Sequence, residues 1–134
     1  MGLSNPSIGY TGYAPSDDIL QEDINIYTET SLSFVTKITG YTLSDVQGNS
    51  IIRFKFTARN EFGGSGYHIR VYIGNNLIID YGNYHGIWET QTYDIPVTWK
   101  RGELIEVKLA CLVSSTAEMK DFQICGTISP MRLD

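Results

Sequence analysis

Between residues 50 and 128 apolar and polar side chains alternate with a period of two, and the runs are broken by glycine, asparagine and proline. Successive side chains of an extended chain point to opposite faces, so this pattern specifies strands with one buried and one wet face. The cleanest run sets Ile52, Phe54, Phe56 and Ala58 against Arg53, Lys55, Thr57 and Arg59, which places three cations on one face of a single strand. Ile69, Val71 and Ile73 alternate in the same way with His68, Arg70 and Tyr72, and Gly74-Asn75-Asn76 behind them tolerates the positive φ of a hairpin turn. Further strands are predicted over residues 24–27, 32–38, 91–97, 105–113 and 122–128, with Pro96 marking an edge or an end. A short helix fits only residues 17–22, where Ser16 would be its N-cap. Eight or nine short strands at this spacing predict an all-β fold, a single antiparallel β-sandwich of jelly-roll type.

The chain of 134 residues suits one domain, in which roughly two thirds of the unfolded surface becomes buried. Residues 1–18, with Pro6, Gly9, Gly12 and Pro15, read as an extended N-terminal arm, and residues 19–134 as the sandwich domain. Tyr10 and Tyr13 are the arm's candidate anchors, on its own domain or on a neighbouring subunit. Charge is uneven: Asp17, Asp18, Glu22, Asp23 and Glu29 all precede the first cation, Lys37, and the ten acidic and ten basic residues beyond them cancel. An acidic arm with no compensating basic cluster argues against nucleic acid as a partner. No run is long and apolar enough for a membrane helix, so no membrane insertion is expected, and the first residues lack the basic and apolar regions of a signal peptide. In a regular hairpin of the last two strands Cys111 would point inward and Cys125 outward, which predicts two unbridged thiols. The spacing of these cysteines, without clustered histidines, does not suit zinc.

Motifs for phosphate loops, nucleophile elbows and metalloprotease helices are absent, so no enzymatic activity and no cofactor are expected. His68 should face solvent from its strand. Asp80, Glu89 and Asp94 are the carboxylates that a glycosidase pair or a calcium site would need. The candidate ligand-binding segment is Tyr81-Gly82-Asn83-Tyr84-His85-Gly86-Ile87-Trp88. There Tyr81, Tyr84 and Trp88 offer faces for a sugar ring, and Asn83 and His85 offer directional hydrogen bonds. Residues 60–66, with Phe62 among glycines, form a second loop of the same kind.

Three stretches carry a resemblance: Ile69-Arg70-Val71-Tyr72-Ile73-Gly74-Asn75-Asn76, Trp99-Lys100-Arg101-Gly102-Glu103-Leu104-Ile105-Glu106-Val107 and Lys120-Asp121-Phe122-Gln123-Ile124. Through them the C-terminal two thirds resembles small sandwich modules of structural and tail proteins of bacterial and archaeal viruses, and also carbohydrate-binding modules. The resemblance implies a module that assembles or adheres. The expectation is a non-enzymatic structural or assembly subunit, a virion capsid, decoration or tail component, forming homo-oligomers or joining other structural subunits in the virion or outside the cell. The alternative is a carbohydrate-binding module for adhesion or host attachment, with a glycan as partner.

Overall fold

The computed structural model describes residues 11–60, 66–112 and 115–130. Nine strands follow one another: β1 (Thr11–Asp23), β2 (Tyr27–Glu29), β3 (Val35–Tyr41), β4 (Ile51–Asn60), β5 (Tyr67–Ile73), β6 (Asn76–Asn83), β7 (Glu89–Pro96), β8 (Leu104–Cys111) and β9 (Ala117–Pro130). One sheet has the order β1-β9-β4-β7, with β2 pairing β9 beyond β1; the other has the order β3-β8-β5-β6. All pairings are antiparallel. The fold is the jelly-roll β-sandwich that the alternation predicts.

The inward positions of the alternating runs build the core. Ile52, Phe54 and Phe56 of β4 meet Ile69 and Val71 of β5 and Val107 and Leu109 of β8, all fully buried. Each such side chain contributes on the order of 2 kcal/mol by leaving water. Gly74 and Asn75 adopt φ of 58° and 68° between the paired Ile73 and Asn76, the twist that a two-residue hairpin requires. Pro96 ends β7, an edge strand, where its missing N–H leaves no gap in a ladder.

Two expectations are corrected. Residues 17–22 are strand, not helix, because β9 offers an unpaired edge to which Ile19, Gln21 and Glu22 bond. The last two strands are not a hairpin: β8 and β9 belong to different sheets. Cys111 lies in the core, as expected; Cys125 lies outside it on the partner sheet, yet it too is buried, and that burial raises its thiol pKa. Residues 11–14 pair with β9, and Tyr13 packs in the protein's own core, where it is 7% exposed and its N–H donates to Ser50 Oγ at 2.9 Å. Tyr10 lies outside the described residues.

Two irregularities shape one outer surface. In β9, Lys120 pairs with Thr57 and Gln123 with Lys55, so Phe56 alone opposes Asp121 and Phe122, and Asp121 takes φ of 53°. This bulge resets the alternation: Met119 and Phe122 are both buried, and Lys120 and Asp121 are left side by side on the outer face. In β1, Ala14 pairs with Thr127 and Ile19 with Cys125, so residues 15–18 all stand opposite Gly126 and bow out of the ladder.

Candidate functional site

The candidate segment 81–88 carries the chain from β6 in one sheet to β7 in the other. Its polar residues are consumed in holding it there. Tyr81 packs edge-on against Phe56 and Tyr93, with ring centroids 5.7 and 6.0 Å away. Asn83 Nδ2 donates to the Tyr81 hydroxyl at 2.8 Å, and Asn83 Oδ1 accepts the N–H of Tyr84 at 2.8 Å. His85 Nε2 lies 2.7 Å from the Tyr67 hydroxyl and 3.1 Å from Glu89 Oε2, while its carbonyl accepts the N–H of Asn60 at 2.8 Å. Burial of the Tyr67 hydroxyl beside Tyr81 drives its pKa far above the usual phenolic range. Tyr81, Asn83 and His85 thus latch the loop to the sandwich. Tyr84, 67% exposed, is left facing solvent.

Trp88 goes elsewhere. It is half-buried without joining the core cluster, and its ring is flanked by the Arg59 guanidinium and the Lys120 ammonium, each 4.4 Å from the centroid. Both cations belong to the outer face of the five-stranded sheet, so the indole rests on that face.

The register of β7, β4 and β9 lays this face out in rows. Arg59 stands beside Glu118; Thr90, Thr57 and Lys120 form the next row; Thr92, Lys55 and Gln123 follow; Asp94, Arg53 and Cys125 close it. Residues two apart on a strand repeat at about 6.7 Å, so four rows span roughly 20 Å. In the middle, Lys55, Thr57, Thr90, Asp121 and Gln123 line a shallow depression of about 200 Å³. The Thr57 and Thr90 hydroxyls bond to each other at 2.9 Å across its floor.

Charges on this face are paired. Arg53 grips Asp94 with two N–H groups at 2.8 and 3.0 Å and reaches Asp17 at 3.1 Å, and Lys55 Nζ lies 3.4 Å from the same Asp17 oxygen. Arg59 Nε donates to Glu118 at 2.8 Å. Hydrogen bonds from Arg53 and Lys55 hold the Asp17 carboxyl below the usual carboxylate range, and Arg53 does the same for Asp94. The surface carries directional donors and acceptors and an indole at one end.

The three carboxylates proposed for a glycosidase or calcium site are engaged separately. Asp80 is bound by His68 and Arg70 on the other sheet, Glu89 by His85 and Asp94 by Arg53. Among the described residues no group of three His, Cys, Asp or Glu is arranged to hold a metal. His68 is only partly exposed, lying against the Phe34 ring on the outer face of its strand. Most of the second loop, residues 61–65, lies outside the described residues.

Sequence reasoning placed Trp88 in the candidate site but missed Thr57, Thr90, Lys120, Asp121 and Gln123. One signal was present: the three cations of β4 already shared a face. Their neighbours were hidden because β7 and β9 are far from β4 in the chain, and the Asp121 bulge shifts the phase locally.

No protein-family model and no curated protein matches the chain. Among solved structures it is similar to a family 35 carbohydrate-binding module from an environmental isolate, with a TM-score of 0.50 and 13% identity over 93% of this chain and 99% of that one. A xylan-binding domain from Paenibacillus barcinonensis aligns with a TM-score of 0.44 and 10% identity over 84% of this chain and 97% of the other. The N-terminal modules of an endo-1,4-β-D-xylanase of Clostridium thermocellum, complexed with xylohexaose, align with a TM-score of 0.46 and 13% identity over 93% of this chain and 26% of that one. The first of these matches corrects the expectation of a virion structural or assembly subunit, since the structure that shares the fold at a TM-score of 0.50 is a carbohydrate-binding module. The strand pattern that suggested a virion component belongs to any sandwich of this kind and does not discriminate among their uses.

Proposed function

We propose that this chain is a non-catalytic carbohydrate-binding module whose recognition surface is the outer face of the five-stranded sheet, anchored by Trp88. The carrying observation is the position of Trp88: a large indole left off the core and laid on a polar sheet face beside a depression lined by Lys55, Thr57, Thr90, Asp121 and Gln123. A sugar ring offers an apolar face that stacks on an aromatic and a rim of hydroxyls that both donate and accept; this surface offers the complement. Exposed Tyr84, held on its latched loop, supplies a further aromatic face. The separate engagement of Asp80, Glu89 and Asp94 supports binding without hydrolysis.

Affinity electrophoresis through gels containing neutral xylan, β-glucan or mannan tests this reading. Retardation by at least one of them is expected, with Trp88→Ala weakening it roughly tenfold and leaving the circular dichroism spectrum unchanged. Absence of retardation in every gel, or retardation indifferent to Trp88→Ala, sinks the reading.

A further inference from the structure

We propose that Asp17 is a specificity-determining residue: as an internal carboxylate seated on Arg53 and Lys55, it restricts the outer face of the five-stranded sheet to neutral oligosaccharides and bars acidic ones. The inference rests on the reading of that face as a sugar-binding surface.

The geometry begins in the irregular part of β1. Residues 15–18 stand opposite the single Gly126 and leave the ladder as a bow. The bow is pinned: Thr127 Oγ1 lies 2.6 Å from both Ser16 Oγ and Asp18 Oδ2, and the N–H of Asp18 donates back to Ser16 Oγ at 3.1 Å. Its crest delivers Asp17 across the sheet edge to Arg53 and Lys55, where one carboxylate oxygen receives both cations. The Asp17 side chain is itself 70% exposed. An ion pair so open to water contributes little to folding, so stability does not account for holding a carboxylate there. Its effect on a ligand is larger, because it fills the point where Arg53 and Lys55 converge.

The rest of the face agrees. Arg53 and Lys55 are engaged by Asp17 and Asp94, Arg59 by Glu118, and Glu22 adds a further carboxylate beside Gln123. Lys120 lies against Trp88 beside Asp121. A uronate entering the depression would have to displace Asp17 to reach Lys55. A neutral sugar uses the Thr57, Thr90 and Gln123 groups and disturbs no ion pair. Asp17 at one end and Trp88 at the other also bound the surface to the length of a short oligosaccharide, roughly 20 Å.

The experiment compares wild type, Asp17→Asn and Glu118→Gln in gels of neutral β-glucan, neutral xylan and polygalacturonate. Wild type should be retarded by a neutral polymer and not by polygalacturonate. Asp17→Asn should gain polygalacturonate retardation of roughly tenfold, lost again in high salt, with binding to the neutral polymer retained. Glu118→Gln makes the same change of net charge at the other end of the face and should gain far less. Polygalacturonate retarding wild type as strongly as a neutral polymer overturns the assignment of Asp17 and leaves the sugar-binding reading standing. So does an equal gain from both variants, which attributes the effect to net charge, and so does no gain from Asp17→Asn. Failure of every polymer with every variant overturns the sugar-binding reading together with this inference.

Discussion

Phe56 and Tyr67 do opposite kinds of work, and single substitutions separate them. Phe56 is fully buried and stacks on Tyr93 at 6.0 Å while meeting Tyr81 edge-on. Phe56→Ala leaves a cavity that those rings cannot fill, and a loss of about 3–5 kcal/mol is expected by urea unfolding; a loss under 1 kcal/mol would show that the site collapses freely. Tyr67→Phe keeps the buried ring and deletes the hydroxyl shared with His85 and Tyr81. His85 retains Glu89, so the expected cost is about 1 kcal/mol, accompanied by faster amide exchange at Asn60, whose N–H is held by the His85 carbonyl. The contacts around segment 81–88 also explain why the sequence shows its role only in part. Tyr81, Asn83 and His85 have the residue types of a binding loop, but whether such groups face a ligand or each other depends on Tyr67, Phe56 and Tyr93, residues remote in the chain.

At the scale of elements, local chemistry and long-range pairing divide the credit. The β5–β6 hairpin is a local event: the turn residues dictate it, and Asn75 occupies the left-handed region that β-branched residues avoid. Asn75→Val should cost about 1–2 kcal/mol, read as a lower melting temperature with wild-type behaviour in any glycan gel; an unchanged melting temperature would contradict the turn assignment. The strands β4 and β5 were legible because one face of each is wholly buried, giving strict alternation. Residues 17–22 of β1 are strand against the helical expectation because these wet, acidic residues carry no alternation and their strand conformation is imposed by the free edge of β9. The β9 bulge left no sequence signal beyond Asp121 itself.

For the molecule as a whole, the carboxylates paired with cations set the response to acid. Asp94 and Glu29 have pKa values lowered chiefly by hydrogen bonds from Arg53 and Lys37; at Asp80 burial acts upward, but His68 and Arg70 outweigh it. Because each folded-state value lies below the unfolded one, the stabilisation is complete above roughly pH 4 and is lost as pH falls through the folded values. Melting temperature should therefore hold from pH 7 to about pH 5 and fall towards pH 3, with a shallower fall in Asp94→Asn; a flat profile to pH 3 would refute the linkage. The amino-acid sequence by itself determined the sandwich, its core residues and its hairpin, because burial on a pleated sheet imposes a period of two that any reader of the chain can follow. Only the tertiary structure decided which polar residues share a surface. The pairing of β4 with β7 and β9 brings Thr57, Thr90, Lys120 and Gln123 together, the bow in β1 brings Asp17 to Arg53 and Lys55, and neither follows from spacing along the chain, since solvent-facing positions carry no periodic constraint on what stands beside them.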